Sequence, residues 1–176
     1  MINSRGAPPP RSGADFQSDA QPISPAGFAA LRQRYEVLFS QERPKLVETI
    51  SWAAGNGDRS ENGDYIYGRR KLREIDRELS HLSRRMKAVK VVDPSVQEDR
   101  SRAWFGATVT IADDDDQERI VTLVGEDEAD ASAGRISWRS PLARALRGAA
   151  VGDLRRVELP AGARDYEIVA ILYPDA

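Results

Sequence analysis

The sequence predicts an α+β protein in two parts: an N-terminal antiparallel helical hairpin, then a C-terminal antiparallel-sheet domain with one short helix. Three observations carry this. Leu72, Ile75, Leu79, Leu82, Met86 and Val89 recur at alternating spacings of three and four, an uninterrupted a/d seam. Phe28, Leu31, Tyr35 and Leu38 form a second seam upstream, and the glycine-bearing run Ala54-Gly55-Asn56-Gly57-Asp58 separates the two. Beyond Asp93-Pro94 the helical period gives way to short β-branched runs.

Taken in order, residues 1–22 hold Pro8-Pro9-Pro10, two glycines and several serines. Such a segment buries too little apolar surface to offset its ordering entropy, so a disordered extension is expected. Ser24-Pro25 is a helix start, with Ser as cap and Pro at the first helical position. The first seam shifts phase near Phe39 and resumes as Leu46, Ile50 and Ala53. Pro44 lies at the shift, where an interior proline bends or loosens a helix. Gly55 and Gly57 are expected to supply positive φ for the reversal. The second helix continues upstream through Tyr65 and Gly68 in the same phase. At about 30 residues it measures roughly 45 Å. The hairpin is assigned to 23–93, its tip to 57–65, a linker to 94–100 and the C-terminal domain to 101–176.

In that domain, strands are expected around Trp104–Ile111, Ile120–Val124, Arg135–Trp138, Leu154–Leu159 and Tyr166–Tyr173. Ser140 followed by Pro141 opens one short helix that stops at Gly148. There is no βαβ rhythm, so a parallel nucleotide-binding sheet is not expected. Trp104 and Trp138 read as core or sheet-face residues, and Trp52 as packing between the two helices.

Composition narrows the chemistry. The 176 residues contain no cysteine, which excludes disulfides, thiolate zinc sites and thiol nucleophiles. A single histidine, His81, excludes a multi-histidine metal site within one chain; off the seam, it reads as solvated. Acid, base or metal chemistry must rest mainly on carboxylates. No apolar run approaches the ~20 residues of a membrane span, and the N-terminus lacks signal-peptide order, so a cytoplasmic protein is expected. The net charge of −2 conceals a partition. Residues 69–90 carry nine basic and three acidic side chains, whereas 91–176 carry ten and seventeen. Asp113–Asp116 lacks the alternate spacing of a calcium loop and reads as a solvated turn.

The tip holds three carboxylates, Asp58, Glu61 and Asp64, within seven residues. Asp58-x-x-Glu61 has the spacing of a capping box, and acids favour a helix N-terminus. The same pair also presents oxygens suited to a hard cation. Mg²⁺ takes one or two protein carboxylates and completes its shell with water and phosphate oxygens. Spacing alone leaves both readings open.

The run Gly57-Asp58-Arg59-Ser60-Glu61-Asn62, followed by Asp64-Tyr65, resembles the tip motif of the bacterial Gre transcript cleavage factors. Glu42-Arg43-Pro44 is similar to the family's Arg-Pro step. Lys71–Arg77, Val91–Pro94, Phe105-Gly106-Ala107 and Ser140–Leu146 resemble the GreB branch in particular. Val151-Gly152-Asp153 and Pro160-Ala161-Gly162 extend the match, which covers about residues 23–173.

The resemblance implies an antiparallel coiled coil followed by a domain like the FK506-binding prolyl isomerases, used for docking. It implies a factor that binds bacterial RNA polymerase, inserts its tip into the secondary channel and stimulates cleavage of the backtracked RNA 3′ end. Such a factor is not an enzyme on its own; it activates the polymerase. Asp58 and Glu61 would be the catalytic pair, holding Mg²⁺ shared with the polymerase and orienting the attacking water. The free protein would bind no metal tightly. Ser60, Asn62, Asp64 and Tyr65 would support the tip, and Arg59 either approaches a phosphate or is solvated. Gly63 stands where the family leads one to expect alanine, which loosens the first turn. Arg69, Arg70, Lys71, Arg73, Arg77, Arg84 and Arg85 would contact extruded RNA, although they are not all on one face; Arg70 with Glu74 is an expected attractive pair. Two alternatives stand beside this: a channel-binding regulator without cleavage activity, and a coiled-coil module whose acids only cap a helix. A hairpin that closes its own seam is expected to be a monomer.

Overall fold

The computed structural model describes residues 21–57 and 62–175. Two compact units result, one spanning Ile23–Val92 and one built on the chain from Asp93 onward. Of the expected disordered extension, 1–22, residues 1–20 lie outside the described residues, whereas Gln21 and Pro22 are ordered in a strand, Gln21–Ile23.

Strand β1 (Gln21–Ile23) leads into the first unit and pairs with β2 (Val89–Val91). Helix α1 (Pro25–Val37) begins as the sequence indicates: the Ser24 side chain accepts from the Gly27 N–H at 3.0 Å, with Pro25 in the first turn. The phase shift near Phe39 is a π-helical turn, Leu38–Glu42, which leads directly into α2 (Arg43–Ala54). A π turn inserts an extra residue into the ladder. It sits just ahead of Pro44, whose missing N–H cannot donate, and it resets the seam so that Leu38 and Leu46 face the same partner helix. That partner is α3 (Gly63–Ala88), 26 residues or about 39 Å long.

Leu38, Ile75 and Leu82 are buried together, with Leu31, Tyr35, Leu46 and Leu79 packed against them. Nearer the reversal the seam narrows. Ala53 is buried, and Gly68 lies so close to Ile50 that an added Cβ would stand 2.7 Å from its Cγ1. Two exposed ion-pair groups cross the seam. Arg34 donates to Glu78 and Glu42, at 2.8 and 2.7 Å, and Arg43 donates to Asp76 at 2.8 Å. The Arg34 guanidinium holds the Glu78 carboxyl below its ordinary range.

The second unit is a five-stranded sheet ordered β5-β4-β3-β7-β6: β3 (Thr108–Ala112), β4 (Glu118–Val124), β5 (Arg135–Ser137), β6 (Leu154–Leu159) and β7 (Gly162–Leu172). One pair departs from an all-antiparallel expectation: β4 and β5 run parallel. Parallel neighbours need a crossover. Here it is made by two 3₁₀ turns, Glu126–Glu128 and Ala131–Ala133, with Gly134 at φ 69°. Helix α4 (Pro141–Leu146) is capped by Ser140, which accepts from the Ala143 N–H. Val109, Ile111, Val121, Leu123, Val157 and Ile168 form the core with Leu146. Trp138 is buried edge-on to Phe105, under the Arg147 guanidinium at 4.0 Å; Trp104 is half-buried. Residues 94–100 pack with this unit: Arg100 donates to the Ser95 and Pro174 carbonyls. Asp113 turns the β3–β4 hairpin by accepting from the Asp115 and Gln117 N–H groups.

Candidate functional site at the hairpin reversal

Helix α2 ends at Ala54. Of the two glycines expected to turn the chain, only Gly57 has positive φ, at 137°; Gly55 remains right-handed at −78° and closes the last turn of α2. Asp58, Arg59, Ser60 and Glu61 lie outside the described residues. The chain is described again at Asn62, and here the structure departs from the capping-box expectation. The N-cap of α3 is Asn62, whose Oδ1 accepts from the Tyr65 N–H at 3.1 Å. Its Nδ2 donates to the Ala53 carbonyl at 2.7 Å. One side chain therefore starts α3 and ties it to the end of α2. The N-terminus of α3 takes its cap from Asn62 rather than from Asp58.

Asp64 is exposed in the first turn of α3, where its charge suits the helix dipole. Tyr65 is half-buried beside the seam. A Cβ at Gly63 would meet nothing within 4 Å, so glycine is not required there by packing. Trp52 is not the interhelical packing residue expected. It is 68% exposed, and the neighbouring Ala53 takes the inward position.

The basic residues of α3 do not all share one face, as expected, but most of them form a stripe. At about 100° per residue, Arg69, Arg70, Arg73, Arg77 and Arg84 fall within roughly 100° of one another, opposite the seam. They cover about 22 Å of the helix. Arg69, Arg70, Arg73 and Arg77 are exposed and make no ion pair with another described residue. Lys71 and Arg85 lie off this stripe. Lys71 pairs with Glu74 at 3.2 Å, which replaces the Arg70–Glu74 pair expected from spacing. His81 is exposed.

Two family models match the chain. "Transcription elongation factor, N-terminal" matches residues 21–91, and "Transcription elongation factor, GreA/GreB, C-term" matches 98–173. The chain is 48% identical over 151 residues to transcription elongation factor GreB of Neisseria meningitidis serogroup B, covering 86% of this chain and 93% of the relative. The chain belongs to the GreA/GreB family of transcription elongation factors. Within that family its relatives span both names. GreB of Pseudomonas aeruginosa is 40% identical over 98% of this chain and 99% of its own length. GreA of Hyphomonas neptunium is 44% identical over 86% of this chain and 97% of its own length. Among the described residues, no group of three or more His, Asp or Glu could hold a metal ion, and no helix is long and apolar enough to cross a membrane.

Proposed function

We propose that this chain stimulates RNA cleavage by a backtracked RNA polymerase, with the hairpin reversal entering the polymerase's secondary channel. Family membership supports the setting. The observation that carries the mechanism is the cap on α3. With Asn62 as cap, the helix begins beyond Asp58 and Glu61, and neither acid is needed at its N-cap. The donor set suits Mg²⁺ only in part. Two carboxylates match what this ion takes from protein, and the rest of its shell falls to the polymerase, water and RNA phosphate oxygens. Asp58 and Glu61 would hold the ion jointly with polymerase carboxylates. When bound, it supplies Lewis-acid stabilisation and a more acidic water.

The chain's own residues have distinct tasks in this reading. Asn62 fixes where α3 starts relative to α2. Glu61 or Asp58 accepts a hydrogen bond from the attacking water. The Arg69–Arg84 stripe receives phosphates of the extruded RNA, which makes activity fall with salt. Neither acid suffices for nuclease activity in the free protein.

A backtracked elongation complex with Mg²⁺ tests this. Wild type is expected to accelerate release of a 3′ RNA fragment. Asp58→Ala and Glu61→Ala should compete for polymerase as wild type does, yet leave the RNA intact. Cleavage at wild-type rate by both variants would remove the assigned acids from the mechanism.

A further inference from the structure

The hairpin has two unlike flanks. Arg43 and Asp76 meet across the seam at 2.8 Å and so mark one flank of both α2 and α3. Trp52 lies nine residues after Arg43, and Tyr67 nine residues before Asp76. Nine residues at about 100° each turn a helix through half a revolution. Both rings therefore stand on the opposite flank, one on each helix. Their heights also agree. Gly68 packs on Ile50, and Tyr67 and Trp52 lie one and two residues nearer the reversal. They are 66% and 68% exposed, so neither ring's position is explained by burial within this unit.

The charges beside the rings indicate what they meet. Tyr67 has Arg70 and Lys71 one turn along the helix. Arg70 belongs to the basic stripe, and Lys71 is paired with Glu74. Lys45 is exposed on the same flank as Trp52 but two turns away, and the exposed acids Glu48 and Asp64 lie one turn from Trp52 and Tyr67, so Arg70 is the cation beside the rings that makes no ion pair with another described residue. Flat π faces next to cationic side chains are the combination that binds single-stranded nucleic acid: cations meet the backbone and rings stack on bases. A purely apolar protein surface would match the rings but leave Arg70 facing no anion.

We propose that Trp52 and Tyr67 form a stacking platform for unpaired bases of the extruded RNA, beside the phosphate-binding stripe. The proposal rests on the transcript-cleavage reading and extends it from phosphates to bases. The layout sets the order of contacts: bases reach the rings close to the reversal while phosphates run along α3.

The test uses the full chain and a backtracked complex carrying 4-thiouridine in the extruded RNA. Replacing a stacking ring by alanine costs about 5- to 150-fold in affinity per base. The doubly substituted Trp52→Ala, Tyr67→Ala protein is therefore expected to lose at least about fivefold in cleavage at subsaturating factor. It should keep its thermal midpoint and its affinity for polymerase. Trp52→Phe with Tyr67→Phe should retain most activity, and the corresponding leucine pair should not. The photo-crosslink should map to peptides containing Trp52 or Tyr67 and vanish in the alanine pair. Leucines that rescue as well as phenylalanines would overturn stacking. An affinity loss for polymerase matching the cleavage loss would assign the rings to a protein wall. If wild type itself promotes no cleavage, the parent reading fails, and the crosslink still decides this one: present at the rings it stands, absent it falls.

Discussion

Replacing Asn62 separates two tasks that one side chain performs. Its Oδ1 caps α3 through the Tyr65 N–H, and its Nδ2 holds the Ala53 carbonyl at the end of α2. Asn62→Ala removes both. Loss of an N-cap costs about 1 kcal/mol. The bond to Ala53 is short and partly buried, and its loss adds about 1 kcal/mol. The reversal should then open about 30-fold more readily, since each 1.36 kcal/mol is tenfold. Asn62→Ser keeps a competent cap but lacks the amide donor, so it should lose only the second contribution, about fivefold. Hydrogen exchange of the Tyr65 and Ile66 amides reads this opening directly. Alanine should exchange fastest, serine in between and wild type slowest, with cleavage activity lowest in alanine and highest in wild type. If serine and alanine exchange alike, the bond to Ala53 contributes nothing, and the account of Asn62 as a tie between two helices fails.

Two further predictions concern the fold. Gly68→Ala gains about 1 kcal/mol of helix propensity but presses a Cβ to 2.7 Å from Ile50 Cγ1, where overpacking costs about 1–3 kcal/mol. It should therefore destabilise the wild-type hairpin yet stabilise an Ile50→Ala background; equal effects in both would refute the contact. In the second unit, the Tyr173 hydroxyl donates to the Arg102 carbonyl at 2.6 Å and accepts from the Trp104 N–H at 2.8 Å. Desolvation pushes its pKa up to about 12. The stability it contributes is present in full below the ordinary tyrosine value near 10 and is lost as pH climbs toward 12. Ultraviolet titration should show a tyrosine that ionises late, toward pH 12. Tyr173→Phe should abolish that late step; an unchanged titration curve would remove Tyr173 as its source.

The elements legible in the sequence were those governed by local rules. Ser24-Pro25 and Ser140-Pro141 each placed a helix start, because cap and first-turn proline act within three residues. The seam placed α3 because Ile75, Leu79 and Leu82 pack on the same partner residues, Leu31, Leu38 and Leu46 among them; Val89, its last expected member, belongs to β2 instead. Even the π turn left a trace, as a phase shift ahead of Pro44. What stayed hidden depended on distant partners. The parallel β4–β5 pair is decided by how the crossover from Gly125 to Gly134 packs, and the residue pattern of a three-residue strand carries no sign of direction. Trp52 reads as an interface residue from its sequence because a large ring beside a seam usually fills it. At the reversal, however, Gly68 brings α3 close, and only a residue as small as Ala53 faces inward.

The tip shows the same division inside a single motif. Asp58 and Asn62 are both good N-cap types, and the glutamate three residues after Asp58 makes the earlier one the better capping box by spacing. Local preference therefore favours the wrong cap. The decision is made by the Ala53 carbonyl, nine residues back in sequence, which offers Asn62 a second bond once α2 has ended there. A carboxylate at that position could cap α3 but could not donate to Ala53. The amide is thus the one side chain type among the candidates that satisfies both helix ends, and choosing it starts α3 beyond the two acids. The same seven residues that read as a cap in isolation then divide at Asn62: from there onward they start α3, and the cap no longer accounts for Asp58 or Glu61.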